Sequence, residues 1–531
     1  MKSYLDKNQQ ARFNSLINQF DITLKINKIS FKDLIDSLSV IELNQRVIVL
    51  WVVYIGNYPT YEETYLLSNY LQLSPKVTEK WLAQKRRNYK LLGLPNTYIR
   101  NEPSKIFYDV SETHKSPLSS GIQRIVRNVA HEISSEIEFI TWTEKFGILS
   151  PLTQKQIYSL KNWENNKFDD IHARCKLILL AIGLYKKTRK LVASALPTFI
   201  VRILRALEVN LKDYIFWLLG LLKINFKKDA QLIFSVNSKY LVLELQSLDL
   251  RVLDRVYPIL QSKMFHYSFL VHDTLPLRYP EFFTSSTVGN FVSYARNLRN
   301  SSQLFVMSES EKQYLVKFLE SQDCATPTIL KIDPPLFEIE NKEFDGADQY
   351  ARFLNKNILM VGSLEPRKNY VRTLKAIYKA SLKLEDIKVK LVYPNKWLND
   401  EIQFEIDKLS NSGIKLELLQ SISDEELSSL YNQSSLLVFC SLAEGLGLPL
   451  LEARSAGLPA VTSNVGFMHE LRNFGGVKNV DPHNIDEISN GIVEILSNYE
   501  TWLTLHWETQ KKIGLKMKEY ASQFLQSGLR N

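Results

Sequence analysis

Ser441-Leu-Ala-Glu-Gly-Leu-Gly-Leu-Pro-Leu-Leu-Glu452 holds two glutamates, Glu444 and Glu452, eight positions apart around a Gly-rich turn. An apolar run ending Leu436-Leu-Val-Phe-Cys440 precedes it and Ala453-Arg-Ser-Ala-Gly457 follows. The stretch therefore reads as a buried strand turning into a helix. Open α/β sheets bind ligands there, outside the carboxyl ends of their strands. The backbone from Gly445 through Leu446 and Gly447 to Leu448 presents its N–H groups, and the helix that Pro449 opens points its positive end at the same spot. A phosphate or an electron-rich sugar oxygen is the natural guest. Glu444 is expected in the loop and Glu452 on the first helical turn, both facing the crevice, where carboxylates accept hydrogen bonds from vicinal hydroxyls.

Upstream, Asn357-Ile-Leu-Met-Val-Gly-Ser-Leu-Glu-Pro-Arg-Lys-Asn369 reads as a buried strand, a turn at Gly362 and Ser363, and the basic pair Arg367 and Lys368 before a helix from Tyr370 to Leu382. Cations at a helix start oppose its dipole and so call for a reason. Ile387 to Pro394 and Ile414 to Gln420 are further strand candidates, and Ser423-Asp-Glu-Glu426 is a capping box before an amphipathic helix. Strand and helix alternate through Pro459 to Asn464 and Val480 to Pro482, the order of a parallel doubly wound sheet.

These residues resemble the E-x7-E signature and donor domain of retaining GT-B glycosyltransferases of the family 4 type, which include bacterial mannosyl- and rhamnosyltransferases of polysaccharide synthesis. The resemblance implies an α/β fold of two Rossmann-like doubly wound domains facing a cleft. Residues 350–500 would form the nucleotide-sugar donor domain, 101–340 the acceptor domain and 501–531 a helix crossing back. It implies that Glu452 holds the donor ribose, while Lys368, Arg367 and the backbone around Gly445 to Gly447 hold its diphosphate. Many family members carry arginine directly after the glycine, where this chain has Ser363; Arg367 is inferred to supply the second cation. In the acceptor domain, Ser119-Ser-Gly-Ile-Gln-Arg124 resembles the family's glycine loop, with Gly121 near the donor phosphates and Arg124 one turn on. Ser268-Phe-Leu-Val-His-Asp273 resembles the segment whose histidine sits beside the transferred sugar, so His272 and Glu444 would orient that sugar, with Asp273 on the acceptor side. No metal or other cofactor is expected, because the cationic cradle can stabilise the leaving group.

Residues 1–100 form a separate helical domain in this reading. Leu43 to Tyr54, Tyr58 to Tyr70 and Ser74 to Arg87 give three helices, each with its own start signal. They are similar to a homeodomain-like helix-turn-helix, with Trp81 buried in the third helix before a basic run. In homeodomains an asparagine three residues after that tryptophan reads adenine; here the position is Gln84. DNA reading would need Lys80, Lys85, Arg86 and Arg87 exposed on one face. Docking to a protein partner or to the catalytic domains is the favoured use, and nucleic acid the disfavoured one.

Cys175, Cys324 and Cys440 are scattered and show no metal-site spacing, which suits a reducing, cytoplasmic compartment. Met1-Lys-Ser-Tyr-Leu-Asp-Lys lacks the apolar core of a signal peptide, and no apolar run reaches the roughly 18 residues that span a bilayer. Between Arg174 and Lys228, twelve Lys and Arg face only Glu208 and Asp213, interleaved with short apolar stretches. A helical insert at about 172–228 is thus expected either to lie on an anionic membrane face, beside a glycan or lipid-linked acceptor, or to pack on the acceptor domain. The net charge of +9 fits the membrane reading without establishing it. Two rivals to a transferase stay open: an inactive sugar-nucleotide-binding protein informing the N-terminal domain, and a glycoside hydrolase using the glutamates as its carboxylate pair.

Overall fold

The computed structural model describes residues 4–20, 29–102, 105–116, 121–133, 135–143, 146–161, 229–244, 250–322, 326–335, 352–393, 400–420, 422–471, 476–502 and 516–528. The basic segment at about 172–228 lies outside the described residues. The chain divides into two compact units, Met1–Tyr267 and Ser268–Asn531, and this division falls inside the 101–340 stretch that the sequence assigns to one domain.

Helices open the first unit: α1 (Lys7–Ile17), α2 (Phe31–Ser37), α3 (Leu43–Tyr54), α4 (Tyr61–Leu73) and α5 (Pro75–Leu91). The sequence reading names the last three and misses α1 and α2. Both begin at capping boxes, Asp6 with Gln9 and Ser30 with Asp33. Helix α3 is buried continuously from Val47 to Tyr54, the mark of a core helix rather than a surface one. Residues 1–100 are fastened to the strands that follow. Arg12, only 3% exposed, donates to the carbonyls of Val53 at 2.9 Å and Thr97 at 3.3 Å. The Tyr58 hydroxyl donates to Ile233 O at 2.8 Å, Asn57 Nδ2 to Phe146 O at 2.6 Å, and Arg255 to the Tyr58 carbonyl.

The strands of this unit are β1 (Asn96–Arg100), β2 (Ile106–Asp109), β3 (Glu138–Thr143), β4 (Ile148–Pro151), β5 (Asp229–Ile233) and β6 (Lys239–Val242). β2 lies between β3 and β6, parallel to both; β4 runs antiparallel on the outside of β3, and β1 pairs in parallel with β5.

In the second unit β7 (His266–Leu270, entering across the division), β8 (Gln303–Val306) and β9 (Thr328–Lys331) run parallel. Beyond them β10 (Asn357–Val361), β11 (Lys388–Tyr393), β12 (Lys415–Gln420), β13 (Leu436–Phe439), β14 (Ala460–Ser463) and β15 (Val477–Val480) form a six-stranded sheet in the order β12-β11-β10-β13-β14-β15. Every pairing in it is parallel. Parallel sheets are covered on both faces, so the centre of β10 and all of β13 are apolar; Ile358, Met360, Leu436 and Val438 pack with Leu374, Ile377, Ile488 and Ile492 from flanking helices.

The expected terminal stretch from Ile485 to Leu525 resolves into two helices, Ile485–Ser497 and Met517–Gly528, with residues 503–515 not described. The last helix returns to β8 and its end: Tyr520 donates to Met307 Sδ at 3.4 Å, and Phe524 meets Phe305 edge-on at 5.0 Å. The chain's end thereby packs on β8 within the second unit. No described helix is long and apolar enough to cross a membrane.

Candidate active site

β10 ends at Val361 and the chain turns at Gly362, whose φ of +146° few side chains tolerate. A short 3-10 turn, Pro366–Lys368, follows, and Asn369 sits in the left-handed region at φ 60°. Asparagine enters that region more readily than most residues because its short side chain bonds locally. Here Nδ2 donates to Cys440 O at 2.9 Å and Pro482 O at 2.7 Å. One side chain thus ties the basic turn to the end of β13 and to the loop after β15. The Leu442 N–H adds a bond to Arg367 O at 2.7 Å.

These ties aim Arg367 and Lys368 at the glutamate loop. Glu444, 8% exposed, accepts from Lys368 Nζ and forms an ion pair with Arg367 Nη1 at 3.0 Å, while that Nη1 donates to Ala443 O at 3.3 Å. Arg367 Nε also donates to Glu365 Oε2 at 2.8 Å, and the Ser363 hydroxyl donates to Glu365 Oε1 at 2.7 Å. Lys368 Nζ lies 4.9 Å from the centroid of the Phe439 ring. Burial would raise the Glu444 carboxyl, but Lys368 and Arg367 outweigh it and hold it below the ordinary carboxylate range. Burial lowers Lys368 against the pull of Glu444. Arg367 is raised, since Glu444, Glu365 and Asp273 together overcome its desolvation.

Glu444 therefore meets cations, where the sequence alone placed it open to a sugar in the crevice. Glu452 needs a second correction: it is the fifth residue of the helix Leu448–Ser455, past the first turn, and only 4% exposed. Its Oε2 accepts from the Tyr431 hydroxyl at 2.8 Å. Tyr431 was missed by the sequence reading, because nothing local shows that the helix Asp424–Gln433 turns it toward Glu452. Gly447 caps the helix Leu448–Ser455 at φ 69°, as the Gly-rich turn requires.

His272 and Asp273 follow β7 and lie against the same loop. A Cβ on Gly445 would stand 2.6 Å from Asp273 Cβ and 3.2 Å from His272 O, so only glycine fits there. Asp273 Oδ1 accepts from the Leu275 N–H at 3.1 Å, and burial lifts its carboxyl above the ordinary range. The segment is braced from its other side by Glu311, 2% exposed, which accepts from Thr274 Oγ1 at 2.6 Å and Arg278 Nη1 at 2.7 Å. Sequence reading missed Glu311 too, since a glutamate in a first helical turn reads as a capping residue.

The structure thus brings together Gly362, Ser363, Arg367, Lys368, His272, Asp273, Glu444 and Gly445. Gly121 opens the helix Gly121–Glu132 and Arg124 lies in its first turn, both in the first unit. Among the described residues no group of three or more His, Cys, Asp and Glu could hold a metal ion.

The fold is GT-B. The crystal structure of Anabaena Alr3699/HepE in complex with UDP and glucose shares it at a TM-score of 0.50 and 13% identity, covering 80% of this chain and 99% of that one. Sucrose-phosphate synthase from Thermosynechococcus elongatus does so at 0.50 and 14% identity, over 80% and 98%. Residues 351–514, which include the six-stranded sheet and the glutamate loop, match the family model of the group 1 glycosyl transferases. The chain is 29% identical over 222 residues to the serotype-specific mannosyltransferase WbdA of Escherichia coli, covering 38% of this chain and 26% of that protein. It is 33% identical over 150 residues to the O-antigen chain mannosyltransferase B of the same species, covering 27% and 37%. The chain thus spans well under half the length of either relative.

Proposed function

We propose that this chain is a glycosyltransferase that moves a hexose, mannose in the first instance, from a nucleotide-diphosphate sugar to a hydroxyl of a glycan or lipid-linked acceptor in cell-surface polysaccharide synthesis. The observation that carries the reading is the pairing of Glu444 with Lys368 and Arg367 at the mouth of the helix Leu448–Ser455. Two preorganised cations beside bare backbone N–H groups suit the charge that grows on a departing nucleoside diphosphate. They perform this task in place of a metal ion. Glu452, steadied by Tyr431, accepts from the ribose hydroxyls. His272 and Glu444 orient the transferred sugar and Asp273 lies on the acceptor side; the family resemblance supports an acceptor role for Arg124 and a donor role for Gly121. The resemblance to retaining enzymes supports front-side attack, with the leaving phosphate taking the acceptor's proton. The mannosyltransferase relatives support the sugar and the pathway class, and we place the enzyme on the cytoplasmic side, peripheral to the membrane that carries its acceptor.

The test is thermal stabilisation of the full chain by UDP, GDP, TDP and their hexose conjugates, with Glu452→Ala in parallel. At about 100 times Kd a ligand adds roughly 2.7 kcal/mol, a melting shift of a few degrees. One nucleotide should give that shift, lose it in the variant, and keep it in the presence of a chelator. A folded protein that responds to none of them is not this transferase.

A further inference from the structure

The Pro366–Lys368 turn has a second side. Away from Glu444 it walls a cavity of about 360 Å³ whose lining includes Phe282, Glu365, Arg372, Lys375, Glu401 and Ile402. That volume lies at the lower end of the about 300–1,000 Å³ usual for small-molecule sites and leaves room for a mono- or disaccharide.

The chemistry of the walls narrows the guest. Glu365 is already held by Arg367 and Lys375 lies 3.5 Å from Glu405, which leaves Arg372 and Glu401 as one cation and one anion on the walls, so neither an anion nor a cation is favoured. Hydrogen-bonding capacity of both kinds remains. Arg372 uses Nη1 on Asn369 Oδ1 at 3.2 Å, and its other N–H groups have no partner among the described residues. Glu401 likewise makes no hydrogen bond or ion pair among the described residues. Beside these groups stand the half-buried ring of Phe282 and the buried Ile402. A ligand that donates to a carboxylate, accepts from a guanidinium and lays a C–H face on an aromatic ring is a sugar. We propose that this cavity receives the acceptor glycan, as a neutral, hydroxyl-rich saccharide unit.

The inference rests on the transferase reading and sharpens it. Glu365 belongs both to the cavity wall and to the cation cluster, through its bond to Arg367 Nε at 2.8 Å. A saccharide that engages Glu365 therefore sits one residue away from the groups assigned to the leaving diphosphate.

Saccharide binding by the full chain tests it, with α-methyl mannoside and mannose-, glucose- and galactose-based disaccharides as probes in ligand-observed NMR and calorimetry. Arg372→Ala and Glu401→Gln are the variants, each on the surface of its helix. One disaccharide should bind, and each variant should weaken it about tenfold, the effect of losing one charge-assisted hydrogen bond. The nucleotide-induced melting shift should be unchanged in both. Saccharide affinity untouched by either variant overturns the assignment, as does the absence of saccharide binding in a protein that nucleotide still stabilises. Stabilisation by inorganic phosphate that disappears in Arg372→Ala would mark an anion site and also overturn it. Loss of the nucleotide shift in the unmodified protein speaks against the donor site alone, because the saccharide measurement does not depend on it.

Discussion

Glu444 and Glu244 are both buried glutamates, and their surroundings push them in opposite directions. Glu444 is depressed below the ordinary 4.5 by Lys368 and Arg367. Its contribution to stability is therefore complete above that value and is lost as pH falls through the depressed one. Glu244 accepts from the N–H groups of Glu112 at 2.9 Å and Thr113 at 3.0 Å, yet burial and then Asp109 lift it to about 8. Between 4.5 and about 8 the folded chain keeps a proton that the unfolded chain has released, so this contribution is greatest below 4.5 and is lost as pH rises through about 8. Melting curves from about pH 3 to about pH 9 should show both limbs. Glu444→Gln should flatten the acid side and Glu244→Gln the alkaline side; a profile that neither variant changes would falsify both assignments. At the same scale, Lys368→Ala removes a cation from the leaving-group cradle. It should lower kcat/KM by about 10²–10³-fold while the protein stays folded. Full activity in that variant would move the chemistry elsewhere.

At the scale of elements, the strand-turn-helix frame was legible because apolar runs and capping signals are local. The helix expected from Tyr370 to Leu382 runs Tyr370–Ser381, and the Ser423 capping box opens the helix Asp424–Gln433. The partners of the site residues were not legible. Tyr431 reaches Glu452, and Glu311 reaches Thr274, across gaps that only packing closes. Glycines 445 and 447 show the same contrast. Gly447 is required by its own φ of 69°, which a Gly-rich turn announces, whereas Gly445 is required by the approach of Asp273 from a distant strand. Gly445→Ala should cost about 1–3 kcal/mol of stability through overpacking and displace the His272 segment, which a drop in melting temperature together with weaker nucleotide binding would record. Tyr431→Phe should cost about 1 kcal/mol and raise the nucleotide Kd several-fold; an unchanged Kd would separate Glu452 from ribose binding.

For the whole molecule, the N-terminal helices look different once folded than they do in sequence. Two of the four basic residues that DNA reading would need are already engaged: Arg86 pairs with Asp6, and Lys85 lies 3.7 Å from Glu63 and over the Trp81 ring at 5.6 Å. Tyr58 is buried to 1% exposure beside Trp142 and stacks on Phe234 at 5.8 Å. Tyr58→Ala should therefore destabilise the first unit by about 3–5 kcal/mol, and deletion of residues 1–100 should abolish the cooperative melt of that unit. A truncated chain that melts cooperatively at the full-length temperature would show that these helices are an independent module.

The sequence by itself determined the alternation of strands and helices in the second unit, the glycine turn and the basic pair, because each depends on neighbours a few residues away. Tertiary structure decided that Glu444 meets two cations, that Glu452 leans on Tyr431, and that the helices of residues 1–100 are built into the first unit. Those outcomes depend on which buried groups find partners once water is excluded, and in a buried site the partner's charge and distance set the energy.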